Sequence, residues 1–475
     1  MAVFYSYGWR INSENCSLPI SRQIIAKLSD CFQKTGGLFI ETKPKGVLIK
    51  IDNKVFKDKS GIIQSGTLIN NLLPKNYKIK IEKEGYLSYK KNIEIKSNLV
   101  AEIPNTVLIP EKLLTLGEEN PLIPISKPID NFWINSQQKI VFSAEGGSAS
   151  GGKSNKVLYY LEGSNPSKLK GNKFINFSES GEKIIISDSS GKNSKNQIYY
   201  LYDLNDLSKT VNLGAVFNNL KKNAAPALSD TEGIDEIVFH PADSNRLIIS
   251  AESGSASGGK DKNLYFLDLN RLRLETIIEG PIFAWTVKNP NIYYIRPTTY
   301  NQQPTTNNKL QTTNNYVIAS YNLILKTENI IAQLPNFLIS QFPNSQIILS
   351  PDNKKIAFFN ENGEITIYFL EDYRLGINKK AGDVINLNIY KNKKIKNVFW
   401  YKDSYHLLVE YINAEKEKTC PEQCRRIDFI EIDDRMPINK YTLIDGSAPL
   451  TINYNLKLNR IYFLAEKKLY YFNLE

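Results

Sequence analysis

Apolar and polar residues alternate with a period of two along most of this chain, and the alternation is broken at regular intervals by turn residues. Between residues 36 and 110 the runs are Val47, Ile49 and Ile51, then Tyr77, Ile79 and Ile81, then Ile93 and Ile95. Turn signals at Pro44–Gly46, Asp52–Asn53, Pro74–Asn76 and Gly85 separate them. Such alternation places one face of each strand in a core and predicts a small antiparallel β-unit. Before it, Ile24, Ile25 and Leu28 fall on one helical face and predict a short helix within Ile20–Lys34.

Beyond a proline-bearing stretch over 111–130, one pattern recurs: a short apolar strand, a polar turn, a second strand, a polar or glycine-rich loop, and a tyrosine-rich third strand. The copies begin at Asn131, Ile175, Ile237, Phe283, Ile347, Val398 and Ile452, at spacings of 44 to 64 residues. Two are tied by an identical hexapeptide, SASGGK, at Ser148–Lys153 and Ser255–Lys260. Seven such copies predict blades of four strands arranged radially, because a ring hides strand edges that an open sheet would expose.

Composition sharpens this picture. A chain of 475 residues with 27 Tyr and 21 Phe has the side chains that suit pleated, half-buried surfaces. Of the net charge of +11, the first 110 residues carry +8. That basic part would suit an anionic lipid, wall polymer or nucleic acid, or else solvated lysines that keep strand edges from pairing. With no basic amphipathic helix and no long run of like charge, nucleic acid is not an expected partner. No stretch reaches the roughly 20 apolar residues needed to span a bilayer.

The first unit has a family resemblance. GGLFIETKPKGVLIKIDNKVF followed by NNLLPKNYKIKIEKEGYLSYKKNIEI resembles a PEGA domain, a small β-sandwich found mostly in bacterial surface proteins. Pro44, Gly46, Asp52, Pro74, Tyr77, Gly85 and Tyr86 match its pattern, while Val47 replaces Ala, and Asn53 and Asn76 replace Gly. Asn tolerates positive φ, so these turns are expected to survive. The turn SPDNKKIAFF, Ser350 to Phe359, resembles blades of TolB-type and WD-repeat-like propellers, with Asn353 again in place of Gly. The expected organisation is therefore all-β: an N-terminal segment (1–35), a PEGA-like β-sandwich (36–110), a linker (111–130) and a β-propeller of about seven four-stranded blades (131–475).

Candidate chemistry is sparse. Gly147 to Ser154 satisfies the phosphate-loop pattern GxxxxGK[ST], but a strand, NKVLYYL, follows where a helix N-terminus is required, and the second copy continues into Asp261. A flexible hairpin loop is the expected reading, with no nucleotide and no other cofactor. The two histidines, His240 and His406, stand in unrelated repeats and make no catalytic set, and no metal site is expected. Cys420 and Cys424, in TCPEQC, suit a small disulfide loop in an oxidising compartment or two thiols in a reducing one, and Cys16 and Cys31 stand in the same position. The long second-to-third-strand loops (144–156, 188–196, 250–262, 296–315, 411–425) emerge on the same face as the blade-to-blade connections. That face, with Ser148, Ser150, Lys153, Ser255, Ser257 and Lys260, is the candidate contact surface.

The PEGA resemblance implies an extracytoplasmic bacterial protein, held near a membrane by an upstream anchor that this chain lacks. The expected role is non-enzymatic binding of a partner protein or a wall or surface glycan. A propeller-based glycan hydrolase or lyase and a cytosolic interaction scaffold are the alternatives.

Overall fold

The computed structural model describes residues 8–11, 32–61, 64–111, 129–146, 155–162, 165–188, 197–224, 233–252, 262–298, 316–334, 346–413, 425–445, 452–465 and 468–474. From Ile129 onward the strands form seven consecutive antiparallel meanders, each begun by an inner strand: Ile129–Ile134, Lys173–Phe177, Ile234–His240, Ala284–Lys288, Gln346–Leu349, Lys393–Trp400 and Ile452–Asn455. These are blades 1 to 7. The first six have four strands, and the seventh has three among the described residues.

The blades close into a ring. Each pair of successive blades shares a hydrophobic core, and the inner strand of blade 7 approaches that of blade 1. Phe132, Phe142 and Tyr159 of blade 1 share a core with Tyr462, Leu464 and Leu469 of blade 7, and Asn455 Nδ2 donates to Asn135 O at 2.9 Å. Among the described residues, closure rests on these packed faces. The protein is a seven-bladed β-propeller preceded by a β-sandwich.

The first-to-second-strand turns show why the repeat is legible. A left-handed residue occupies the same place in four of them, Gln138 (φ 62°), Gly181 (66°), Asn353 (61°) and Ser404 (58°), and blade 7 has one a residue later, Asn459 (53°). In the SPDNKK turn, Asn353 N donates to Ser350 O at 3.0 Å, and the Lys355 ammonium is buried 2.7 Å from Asp352 and 4.0 Å from the Tyr373 ring centroid.

Residues 36–108 form two sheets around one core that includes Leu38, Ile49, Ile51, Ile79, Ile81 and Ile103. One is antiparallel (Lys54–Lys57, Leu48–Ile51, Asn76–Glu82, Tyr89–Glu94). The other departs from the antiparallel expectation, because Gly36–Lys43 pairs antiparallel with Thr67–Leu72 but parallel with Val100–Val107. A parallel pair needs a long crossover, and the rest of the sandwich supplies it. The left-handed turn residue at 52–53 is Asp52 (φ 50°) rather than Asn53, and Asn76 opens a strand, so the tolerance of Asn for positive φ is not what these sites use.

Two helix expectations change. Phe32–Lys34 is a strand paired with Trp9–Ile11, which removes the C-terminal end of the helix expected over Ile20–Lys34; the rest of it lies outside the described residues. A helix that the alternation did not predict, Leu213–Ala224, follows blade 2. It buries Leu213 and Phe217 in the core shared by blades 2 and 3, with Phe217 edge-on to Tyr265 at 5.4 Å.

Sandwich and propeller are joined by buried charge. Lys91, wholly inaccessible, sets its ammonium 2.6 Å from Glu431 Oε1 and 3.6 Å from Asp433 Oδ2, both also inaccessible. Tyr89 Oη donates to Glu431 at 3.0 Å, Tyr405 Oη donates to Asp433 at 2.9 Å, and Arg435 closes on Asp433 at 2.6 Å while donating to Glu102 O at 3.1 Å. Two cations face two carboxylates, and Val107 and Ile109 enter the blade 6 and 7 core beside them. No described helix is long and apolar enough to cross a membrane.

Candidate functional site at the propeller channel

The predicted loop residues Ser148, Ser150, Lys153, Ser255, Ser257 and Lys260 lie outside the described residues, as do Cys16, Cys31, Cys420 and Cys424. Their stems are described. Gly146 pairs with Asn155 in blade 1, and Glu252 pairs with Lys262 in blade 3, so the two SASGGK copies join equivalent strands. The residues after Ser154 enter the strand Asn155–Glu162, so the helix that a phosphate loop requires is not there.

The inner strand of blade 3 runs Ile-Asp-Glu-Ile-Val-Phe-His, and its register shifts between Ile234 and Glu236. Equivalent shifts occur in blades 1, 2 and 6, between Ile129 and Asn131, Phe174 and Asn176, and Ile395 and Asn397. Bulges of this kind re-aim side chains. Here Ile237 and Phe239 enter the core shared with blade 2 and Val238 packs on the core shared with blade 4, while Glu236, Val238 and Phe239 line a cavity of about 680 Å³ between the inner strands of blades 2 to 5.

Asn176 and Phe177 of blade 2, Phe283 and Trp285 of blade 4 and Gln346 of blade 5 share this cavity. Phe283 is 47% exposed, its ring held edge-on to Tyr316 at 5.0 Å. Asp235 is engaged by Lys262, Nζ to Oδ2 at 2.5 Å, and Lys262 lines the cavity as the residue at which the second SASGGK loop rejoins the sheet. Glu236 remains open to solvent, yet stands in a crowded concavity. Burial and the neighbouring Asp235 push its carboxyl above the usual glutamate range, against the opposing pull of Lys262 and a hydrogen bond from the Trp285 indole.

A carboxylate beside an indole and an exposed phenyl ring, in a cavity with ample room for a peptide side chain, can hold a cation by charge and by the ring quadrupole together. It can also stack the apolar face of a sugar. The sequence reading missed Glu236, Phe283 and Trp285. Their signal was faint: two adjacent acids near the start of an otherwise apolar strand, and a Phe-Ala-Trp that does not stand out from the Phe132-Trp133 and Phe399-Trp400 of the inner strands of blades 1 and 6.

The histidines are packing residues. His406 stacks on Phe429 at 4.5 Å with Nδ1 2.7 Å from Asp403, and His240 Nδ1 accepts from Ala242 N at 3.2 Å. Among the described residues no group of three or more His, Cys, Asp or Glu is placed to hold a metal ion.

No protein-family model matches the chain, and no curated protein matches it. Among solved structures, the β-propeller domain of Cps50 (Swd1) from Myceliophteria thermophila is 8% identical with a TM-score of 0.43, the match covering 75% of this chain and 99% of that one. The tricorn protease is 11% identical with a TM-score of 0.42, over 90% of this chain and 41% of that one. At these scores neither likeness carries an argument about this chain, and its ring rests on its own strand order and shared cores.

Proposed function

We propose that the protein is a non-enzymatic binding module that takes a cationic side chain of a partner protein into the propeller channel. The observation that supports this is the Glu236 carboxylate set beside Trp285 and Phe283 in a concave site, with Asp235 next to it paired to Lys262. The SASGGK loops of blades 1 and 3 would add contacts around the channel. A wall or surface glycan is the second reading, since the same two rings would stack on sugar. We further propose an extracytoplasmic setting at a bacterial envelope, which rests on the PEGA resemblance alone.

Fluorescence polarisation with short labelled peptides, each carrying one Arg or its Ala replacement, tests the reading. Arg peptides should bind, and Glu236→Gln and Trp285→Ala should each weaken them by about tenfold or more. Because Glu236 has a raised pKa, its ionised form is lost at a higher pH than for a free glutamate. Binding should therefore strengthen as pH rises through the weakly acid range, and Glu236→Gln should abolish that dependence. Peptide binding that ignores Arg would sink the proposal. Glycan hydrolysis that disappears in Glu236→Gln would replace it with the hydrolase reading.

A further inference from the structure

In the sandwich, the four-stranded antiparallel sheet turns one face to the core and the other away from it, and the outward face is rich in lysine. Ile49, Ile51, Ile79 and Ile81 take the core side. Alternation then puts Leu48 and Lys50, Val55 and Lys57, Lys78, Lys80 and Glu82, and Lys90, Asn92 and Glu94 on the other. In the register Lys50 pairs with Lys80, and Lys80 pairs with Lys90. Three lysines therefore stand in one row across three strands, about 4.8 Å apart at the backbone.

Like charges set directly opposite one another weaken a sheet. One acid relieves the row in part, since Glu82 contacts Lys50 at 2.6 Å and also Lys80. Glu94 is engaged by Lys96 at 3.5 Å and Asp52 by Lys75 at 3.5 Å. Lys57, Lys78 and Lys90 are exposed and make no ion pair among the described residues. The excess survives when the rims are counted: over residues 43–96, leaving out the withdrawn Lys91, 12 lysines face 5 acids.

The propeller covers one edge of this sheet, where Asn92 N donates to Met436 O at 3.0 Å and Lys90 N donates to Asn439 Oδ1 at 3.0 Å. Both of those propeller residues are uncharged, and the face itself stays in solvent. A row of like charges that costs stability is retained when an anion uses it.

We infer that this face binds an acidic polysaccharide. Point charges on flexible stems match a chain of repeated carboxylates or sulfates, which demands no fixed geometry at any one group. The face has no Arg and no aromatic ring, the groups that fork onto phosphates and stack on bases. Beside the row lie Leu48, 38% exposed, and Val55, 57% exposed. They can meet the apolar side of a sugar ring, but, lying flat on a sheet, they offer no projecting wedge to a bilayer. The inference is independent of the channel reading, which concerns the inner strands of the propeller.

Calorimetric titration of the full chain with alginate, a polyuronate, and with neutral dextran tests it. Alginate should bind and dextran should not, and added salt should weaken the binding. The triple variant Lys50→Gln, Lys80→Gln, Lys90→Gln should bind about tenfold or more weakly, yet melt no lower than the parent, because it removes charges that repel across the strands. Three exposed propeller lysines replaced together, Lys168→Gln, Lys209→Gln, Lys457→Gln, should leave the affinity within about twofold. Glu82→Gln, which releases Lys50 and Lys80, should strengthen binding, and Val55→Ser should weaken it. Glu236→Gln should bind alginate like the parent, so the outcome is read separately from that of the channel peptides. A parent that ignores alginate, or a propeller triple as weak as the sandwich triple, overturns the inference. Tighter binding of polyphosphate or of phosphatidylserine vesicles than of alginate overturns it too, and would assign the face to a phosphate polymer or a bilayer instead.

Discussion

At the residue scale the most consequential side chain outside the channel is Lys91. Its neighbours Lys78, Lys80 and Lys90 on the same sheet stand in or near solvent, whereas Lys91 is withdrawn entirely against Glu431 and Asp433. An ion pair taken out of water gains little over an apolar pair, but losing one member strands the other. Lys91→Ala should therefore cost about 3–5 kcal/mol, read as a shift in the urea midpoint. The double replacement Lys91→Met with Glu431→Leu should recover part of that loss, because it removes both charges. A single variant as stable as the parent would mean that water reaches Glu431.

At the element scale the helix Leu213–Ala224 shows how a repeat tolerates an insertion. Its apolar positions Leu213, Val216, Phe217 and Leu220 follow helical spacing and pack on the core of blades 2 and 3. The Lys221 ammonium lies 5.9 Å from the Phe217 ring centroid and 5.7 Å from that of Tyr265. Phe217 is wholly buried, so Phe217→Ala should leave a cavity costing about 3–5 kcal/mol. Thermal melting would register this as a lower midpoint, and no shift would mean that the helix is peripheral to the fold. The same helix escaped the sequence reading because twelve residues with four apolar positions look like one more irregular connection when every neighbour alternates with period two.

At the scale of the whole molecule, stability depends on a closed ring. Tyr462, Leu464 and Leu469 complete the core of blade 1 from across the closure. Deleting the chain from Pro449 onward should expose that core and the facing side of blade 6 together. Blades that support one another through shared faces should then lose cooperativity as well as stability. Calorimetry should show a lower, broader transition, and an unchanged sharp one would mean that the blades fold as separate units. The same deletion leaves Lys91 and its partners in place but removes the blade 7 side of the core that Val107 and Ile109 enter, so part of the sandwich's docking surface is lost with the ring.

The sequence by itself determined the strands and their grouping, because period-two alternation and turn chemistry are local properties. SPDNKK sets a left-handed Asn353, and each of the seven repeats opens with an inner strand near the residue that the pattern marks. It also placed the two SASGGK loops between second and third strands, although those residues lie beyond the described ones. Only the tertiary structure decided which polar residues matter. Glu236 and Trp285 are 49 positions apart in different blades and meet because inner strands converge on one channel. Lys91 and Glu431, 340 positions apart, are ordinary surface residues in the alternation until the sandwich docks. A side chain's burial and its neighbours are set by long-range packing, which a local pattern does not carry.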